Sequence, residues 1–322
     1  MSLKEKILVT GACGQIGSTL TRELRKIYGV ANVVATDIVT PRSDCNQSGP
    51  FEHLDVLDKT HFKKIVDQYR IGQIYHLAAM LSAKGEEKPL LAWKLNMDGL
   101  LNVLEIAREH KLNEIFWPSS IAVFGDHSPK DNTPQRTIMD PNTVYGISKI
   151  AGESWCDYYF RKYGVDVRSV RFPGLIGYDA LPGGGTTDYA VDIYHKALDG
   201  EIYTCFLSEN TFLPMMYMPD AIRAIIEIMH ADASDIKIRT SYNINGMSFS
   251  PSQLASEIRK HIPDFVIQYN PDYRQKIANS WPGSIDDHEA QDDWGWKAEF
   301  DIENMTIDML KHLKVMKREH AS

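Results

Sequence analysis

The sequence predicts an α/β protein built on a doubly wound parallel sheet, followed by a smaller C-terminal α/β lobe. Three observations carry that reading. Short apolar runs suited to buried parallel strands alternate with stretches of helical period through the first half. The first run, Lys6-Ile-Leu-Val-Thr10, passes directly into Gly11-Ala-Cys-Gly14-Gln-Ile-Gly17 and a helix marked by Ile16, Leu20, Leu24 and Ile27. The second, Val33-Val-Ala-Thr-Asp37, ends in an acid 20 residues after Gly17. The composition shifts after Pro173-Gly174, so the expected boundary separates 1–173 from a mainly substrate-binding lobe at 174–322, some of whose strands can return to the first sheet.

The bulk numbers exclude several classes. A chain of 322 residues can bury a full core, as one large unit or as a nucleotide domain with an appended lobe. A net charge of −8 leaves no basic footprint for nucleic acid. No apolar run approaches the roughly 20 residues of a membrane span. The first strand begins almost at once, so no signal or transit peptide is expected unless processing has removed one. Cys13, Cys45, Cys156 and Cys205 form no Cys-x-x-Cys, and the 11 histidines no His-x-x-x-His, so no metal is expected and a reducing compartment fits.

Strand, glycine turn and helix in that order suit a pyrophosphate. Gly11, Gly14 and Gly17, with Gln15 and Ile16 between the last two, let the backbone approach, and the helix N-terminus offers free N–H groups. The bland alternative is an ordinary tight turn. Asp37 stands where a dinucleotide fold places a carboxylate on the adenosine ribose, and a carboxylate there repels a 2′-phosphate. The reading is therefore NAD over NADP. Residues 38–50 read as loop and Phe51–Leu54 as a third strand. Asp55 and Val56 follow beside the expected adenine site, and Phe62, Ile65, Val66 and Tyr69 mark a helix.

Gln73–Leu77 is a fourth strand, and Leu77, Ala78 and Ala79 at its carboxyl end leave room for a cofactor. His76, inside that strand, reads as a packed histidine. The stretch 81–89 reads as a polar, mobile loop. Leu90–Arg108 is a long helix carrying Asn96, which must find partners. Glu114–Pro118 is a fifth strand with Ser119 and Ser120 at its end, two hydroxyls able to orient a substrate oxygen or merely to cap a turn.

After a loop at 126–142 comes Tyr145-Gly-Ile-Ser-Lys149. A tyrosine and a lysine four apart lie on one helix face, where an ammonium lowers the phenol pKa toward working pH and makes it a general base. Alone, the pair reads more readily as a solvated surface pair. The sixth strand, Val167–Phe172, brings Phe172 to the cofactor end. In the second half, Asp220 is the expected N-cap of a helix through Met229. Ser250-Pro251 is a good helix start, and Ile307, Leu310 and Leu313 mark a final amphipathic helix.

Taken together, Gly11-x-x-Gly14-x-x-Gly17, Asp37, Asp55-Val56, His76–Ala79, Asn96, Ser119-Ser120, Tyr145-x-x-x-Lys149 and Arg171-Phe-Pro-Gly174 resemble the extended short-chain dehydrogenase/reductase superfamily, the relatives of UDP-galactose 4-epimerase. More narrowly, Leu181–Ala190, Leu213–Pro219, Tyr242–Pro251 and Ile277–Pro282 resemble the short-chain family of L-threonine 3-dehydrogenases. That resemblance implies the Rossmann form of the sheet and metal-independent oxidation of L-threonine by NAD to 2-amino-3-oxobutanoate. Tyr145 would be the base, Lys149 its partner, and Ser119 and Ser120 the hydroxyls on the reacting oxygen. Asn96 falls in the family's cofactor pattern. Ser82 and Thr186 would hold the amino-acid end, with backbone N–H groups of Gly184 and Gly185 on the carboxylate and Trp281 as a pocket wall or plain core. It also implies a homodimer through the Tyr145 helix and the Leu90–Arg108 helix. The compartment would be the cytoplasm of a bacterium, or the mitochondrial matrix for a processed eukaryotic chain.

Two rival readings differ in their consequences. A sugar-nucleotide epimerase or dehydratase would hold NAD tightly with no net redox. Against it, Phe172-Pro173 stands where epimerases commonly carry an asparagine. A redox-sensing binding protein would use the same nucleotide unit without catalysis, and an intact Ser/Tyr/Lys set argues against that.

Overall fold

The computed structural model describes residues 6–41, 49–179 and 185–321. The chain divides into two compact units. Unit 1 takes Met1–Ser120, Thr143–Arg171 and Ile222–Tyr242; unit 2 takes Ile121–Asn142, Phe172–Ala221 and Asn243–Ser322. The sequence suggests a boundary near 173/174 with strands that can return to the first sheet. The chain changes unit near there and also exchanges 121–142 and 222–242.

Unit 1 is built from β1 (Lys6–Thr10), α1 (Gln15–Tyr28), β2 (Val33–Asp37), β3 (Phe51–His53), α2 (Lys59–Tyr69) and β4 (Ile71–His76). It continues through α3 (Ser82–Glu87), α4 (Pro89–His110), β5 (Glu114–Phe116), β6 (Ser119–Ser120), α5 (Val144–Tyr163), β7 (Val167–Arg168) and β8 (Val170–Phe172). Six strands form one sheet in the order β3-β2-β1-β4-β5-β7, and every pairing in it is parallel. Parallel strands buried on both faces need continuous apolar runs, and Ile7, Leu8, Val9, Val33, Val34 and Ala35 are fully buried. The strand order reverses between β1 and β4, and Thr10 pairs with His76 at their carboxyl ends. A doubly wound sheet opens a crevice at that place.

One face of the sheet is covered by α4 and α5. Leu100, Val103, Leu104 and Ala107 of α4, spaced three and four apart, join Cys156 and Tyr159 of α5 in a cluster with Leu8, Ile74, Ile115 and Val167. Thr143 caps α5 by accepting the Gly146 N–H at 3.1 Å. Its far end closes on Gly164 in the left-handed region, at φ +70°.

The stretch 81–89, read from the sequence as a loop, contains the short helix α3. It carries too few apolar residues to show a period, and Glu86 accepts the Val144 N–H at 2.8 Å, which fixes it to the head of α5. Pro89 occupies the first turn of α4, where its missing N–H costs nothing.

Unit 2 and the returning chain contain β9 (Gly174–Ile176), α6 (Tyr189–Asp199), β10 (Tyr203–Cys205), β11 (Leu213–Tyr217), α7 (Met218–His230) and β12 (Tyr242–Asn243). After them come β13 (Met247–Phe249), α8 (Pro251–Arg259), β14 (Ile267–Tyr269), α9 (Arg274–Ser280), α10 (His288–Trp294) and α11 (Ile302–Ala321). Two small sheets run β13-β11-β9 and β10-β14. Ser250 and Gln253 form a full capping box at the start of α8, with Pro251 in the first turn. Asp220 is not the N-cap the sequence suggests. It sits within the first turn of α7, and its buried carboxylate accepts the N–H groups of Glu299 and Phe300 at 3.1 and 3.0 Å.

Candidate active site

The glycine turn lies at the switch point of the unit 1 sheet. Gly11 has φ +68°, and a Cβ there would stand 2.7 Å from the Ala78 nitrogen. A Cβ on Gly17 would stand 2.1 Å from the Gly11 carbonyl oxygen. Both positions therefore require glycine, one for backbone sign and both for space. Gly14 is the N-cap of α1 and supplies no capping side chain, and the first turn carries no acid. Gln15 and Ile16, both half-buried, open the helix. Such an end offers backbone donors and the positive end of the helix dipole to an anion.

Asp37 closes β2 beside this turn. One of its oxygens accepts the Cys13 N–H at 2.9 Å and the other the Val39 N–H at 3.2 Å. The carboxylate is thus fixed against the glycine turn and keeps lone pairs for a ribose hydroxyl. Asp55 is exposed and accepts the Leu57 N–H at 2.9 Å, while Val56 is buried in the core. Leu77, Ala78 and Ala79 are half-buried, and the Leu77 N–H donates to the Thr10 carbonyl at 3.1 Å, extending the β1–β4 pairing to the crevice. His76 is a packed histidine. Its Nδ1 lies 2.8 Å from the Thr10 hydroxyl, and burial, with a smaller contribution from the charge of Lys149, pushes its pKa down to about 3. It is neutral at any working pH. These residues fit a dinucleotide.

Asn96 answers its burial within the protein. Its amide donates to the Met80 carbonyl at 3.1 Å and to Ser148 Oγ at 3.2 Å, and its oxygen accepts the Met80 N–H at 2.8 Å. Both amide hydrogens are committed within the protein, and Asn96 braces the segment after β4 against α5. Ser148 passes the brace on by donating to the Tyr145 carbonyl at 2.7 Å.

Tyr145 lies in the first turn of α5 and shares a side-chain hydrogen bond with Ser120. Lys149, 3 % exposed, places its Nζ 5.4 Å from the Tyr145 ring centre and 4.5 Å from that of Trp117. The ammonium donates to the Pro118 carbonyl at 2.6 Å. Gly152 makes room for this arrangement, since a Cβ there would stand 2.4 Å from Trp117 Cη2. Trp117, Gly152 and Glu153 are parts of the site that motif spacing does not reveal. Only their position three and four residues beyond Lys149, or one residue before Pro118, hints at them.

The structure separates the two serines. Ser119 is 2 % exposed and donates to Glu153 Oε1 at 2.6 Å. Ser120 is half-buried and is the one bonded to Tyr145. The sequence places both on the reacting oxygen; the Ser119 hydroxyl proton is committed to a carboxylate instead.

Burial sets the protonation of the pair. It pushes the Tyr145 phenol up to about 12, against a smaller opposing effect of the Ser120 hydrogen bond. It pushes the Lys149 ammonium down to about 7, opposed by Cys156 and Glu153. From the sequence, lysine is expected to lower the tyrosine pKa, but in the free chain the loss of water raises it.

Unit 2 holds the remaining expected residues. Phe172, Thr186 and Trp281 are buried, the last at the C-cap of α9. The Gly185 N–H, expected to meet a carboxylate, donates to Asp188 Oδ2 at 2.8 Å, so a side chain of the following turn takes that donor. Gly184 lies outside the described residues. Ser82, back in unit 1, is half-buried and opens α3.

The switch-point glycine turn, Asp37 at the end of β2 and the Ser120, Tyr145 and Lys149 cluster together fit an NAD-binding oxidoreductase class. Residues 7–245 match the NAD dependent epimerase/dehydratase family, and the chain belongs to it. Within that class it is similar to solved L-threonine dehydrogenases. The GalE-like L-threonine dehydrogenase from Cupriavidus necator, in its holo form, is 56% identical with a TM-score of 0.94, covering 96% of this chain and 99% of that one. The L-threonine dehydrogenase of Clostridium difficile is 52% identical with a TM-score of 0.95, covering 97% of this chain and 98% of that one. An uncharacterized epimerase/dehydratase of Staphylococcus haemolyticus is 50% identical over 312 residues, 96% of this chain and 98% of its own length.

Asp37 is expected to accept from the adenosine ribose, and replacing it by serine would remove that acceptor. A hydrogen bond to a charged group contributes about 1.5–3 kcal/mol, so NADH binding, measured by titration calorimetry, is expected to weaken about tenfold or more. NADPH binding is expected to tighten. Unchanged affinity for both would dismiss the ribose role of Asp37.

Proposed function

We propose that the chain is an NAD-dependent L-threonine 3-dehydrogenase that oxidises the C3 hydroxyl to give 2-amino-3-oxobutanoate. The observation that carries this reading is the coincidence of two things. One is similarity along nearly the whole chain, the C-terminal half included, to solved L-threonine dehydrogenases. The other is a complete Tyr145, Lys149 and Ser120 set at the sheet's carboxyl edge.

In the proposed mechanism Ser120 donates to and orients the C3 hydroxyl oxygen, and Tyr145 removes its proton. Lys149, fixed by Pro118 and the Trp117 face, favours the phenolate. The chemistry NAD supplies when bound is acceptance of the C3 hydride. Asp37 and the glycine turn are the proposed contacts for its ribose and pyrophosphate. Ser82, Thr186 and Trp281 are the proposed contacts for the amino-acid end, a set of polar demands that rejects analogues lacking the amino or carboxylate group.

The test is absorbance at 340 nm with NAD and a panel of L-threonine, D-threonine, L-allo-threonine, L-serine and 3-hydroxybutyrate. NADH formation is expected to be strongest with L-threonine and weak with NADP. No signal with any hydroxy compound, together with NAD retained through purification, would overturn the reading in favour of a sugar-nucleotide epimerase.

The pH profile derives from the coupled pair. Below about 7 the free chain carries Lys149 as ammonium beside a neutral Tyr145, and one proton must leave before the phenolate–ammonium form exists. Above about 7 that form has the same proton count as the neutral pair, so its share stops changing with pH. The value of kcat/KM for NAD, which reports the free enzyme, is expected to rise about tenfold per unit at low pH and to level off above neutrality. A profile that falls over this range would contradict the assignment.

The assembly proposed is a homodimer through α4 and α5. Leu90, Leu91 and Trp93 of α4 and Ile147, Trp155 and Tyr158 of α5 are exposed, Leu90 at 84%. Exposed apolar side chains on two helices that pack together support an association surface there. Sedimentation equilibrium is expected to give twice the 36.5 kDa chain mass. Trp155→Glu is expected to give the monomer. A monomeric wild-type protein would remove the proposal.

A further inference from the structure

Three consecutive residues are each tied to a different turn of α5. The Pro118 carbonyl accepts from Lys149 Nζ at 2.6 Å, the Ser119 hydroxyl donates to Glu153 at 2.6 Å, and the Ser120 hydroxyl is bonded to Tyr145. Tyr145, Lys149 and Glu153 succeed one another at intervals of four, so they form one stripe on the helix. Ser119 anchors the segment at Glu153, while Ser120 and the Pro118 carbonyl meet the reacting pair.

Glu153 is itself fixed from behind. It is 1 % exposed and accepts from Arg171 twice, Nε to Oε1 at 2.9 Å and a terminal nitrogen to Oε2 at 2.8 Å. Arg171 is 2 % exposed. A two-point guanidinium–carboxylate contact fixes the plane of the carboxylate as well as its place. The same Oε1 takes the Ser119 proton, so the direction of that hydroxyl is dictated by the ion pair.

We propose that Ser119, held by the Glu153–Arg171 pair, is a positioning residue that sets the alignment of Ser120 with Tyr145 for hydride transfer. Neither Ser119 nor Glu153 touches the substrate in this assignment. Their effect reaches the reacting oxygen through the one peptide that joins Ser119 to Ser120. The buried pair contributes little net stability, since its desolvation offsets its attraction; its consequence is geometric. The proposal rests on the dehydrogenase reading above, so wild-type turnover of L-threonine is the first control.

The test compares Ser119→Ala, Ser119→Thr and wild type. Each is assayed for kcat per NADH-binding site, KM for both substrates, and the primary isotope effect with L-threonine deuterated at C3. The alanine variant deletes one hydroxyl and leaves Glu153 paired with Arg171, so the protein folds with its cofactor site intact. Its kcat per site is expected to fall about tenfold, an effect of the size a misplaced catalytic group produces, with both KM values within about twofold. The isotope effect is expected to rise as hydride transfer becomes limiting, and the threonine variant is expected to restore most of kcat. Glu153→Gln keeps an acceptor for Ser119 but loosens Arg171, and is expected to be intermediate in kcat per site. Wild-type activity with Ser119→Ala at kcat within twofold and an unchanged isotope effect would overturn the positioning role. Absence of wild-type turnover with L-threonine would instead overturn the dehydrogenase reading.

Discussion

The structure is organised around a lysine that has been taken out of water. Lys149 is almost fully buried, and a buried ammonium is tolerated only where donors and charges are answered. Its answers are the Pro118 carbonyl at 2.6 Å and the face of Trp117 at 4.5 Å. The aromatic face must lie flat against α5, which is possible because position 152 has no Cβ. Fixing Trp117 and Pro118 also fixes the serine pair that comes next in the chain. The alignment of β5 with β4 and β7 then sets where Trp117 emerges, because Phe116 pairs with both Tyr75 and Arg168. Sheet register, helix position and hydroxyl geometry thus converge on one ammonium.

The nucleotide half is legible because its chemistry is local. A glycine is forced where a turn has positive φ or where another backbone touches it, and Gly11 and Gly17 meet those conditions within one short stretch. Asp37 is legible for a similar reason: a strand's last residue and a turn 20 residues before it are brought together by parallel pairing alone. Tyr145 and Lys149 share a helix face by spacing. The hidden features depend on contacts distant in sequence. Ser119 and Ser120 differ only in which residue of α5 they meet. Asn96 announces a need for partners but not their identity, since Met80 and Ser148 lie 16 and 52 residues away.

The second half is legible mainly through resemblance. Its polar residues serve one another in ways no period announces: Asp220 accepts from a chain segment 79 and 80 residues on, and Asp188 takes the Gly185 donor. Capping at Ser250 is the exception, because serine, proline and glutamine in sequence carry their own geometry. The same holds for the division into units. Exchange of 121–142 and 222–242 between them arises from tertiary packing, which leaves no mark on composition.

Burial also governs how protons are shared between Tyr145 and Lys149. In the free chain it favours the neutral forms of both members of the pair, raising the phenol and lowering the ammonium. The reactive combination carries the same number of protons as that neutral pair and differs only in where one proton sits. It gains from every interaction that prefers separated charge: the Pro118 carbonyl and Trp117 face on the ammonium, the Ser120 hydroxyl on the phenolate. Glu153 favours the ammonium too, but Arg171 compensates its charge, so the carboxylate can lie one turn from Lys149 without capturing it. A lone carboxylate there would draw the ammonium away from Pro118 and Tyr145. Pairing it with Arg171 leaves Glu153 to act through the direction of its oxygens, which makes geometry at Ser119, and not charge at Lys149, the quantity that the buried ion pair controls.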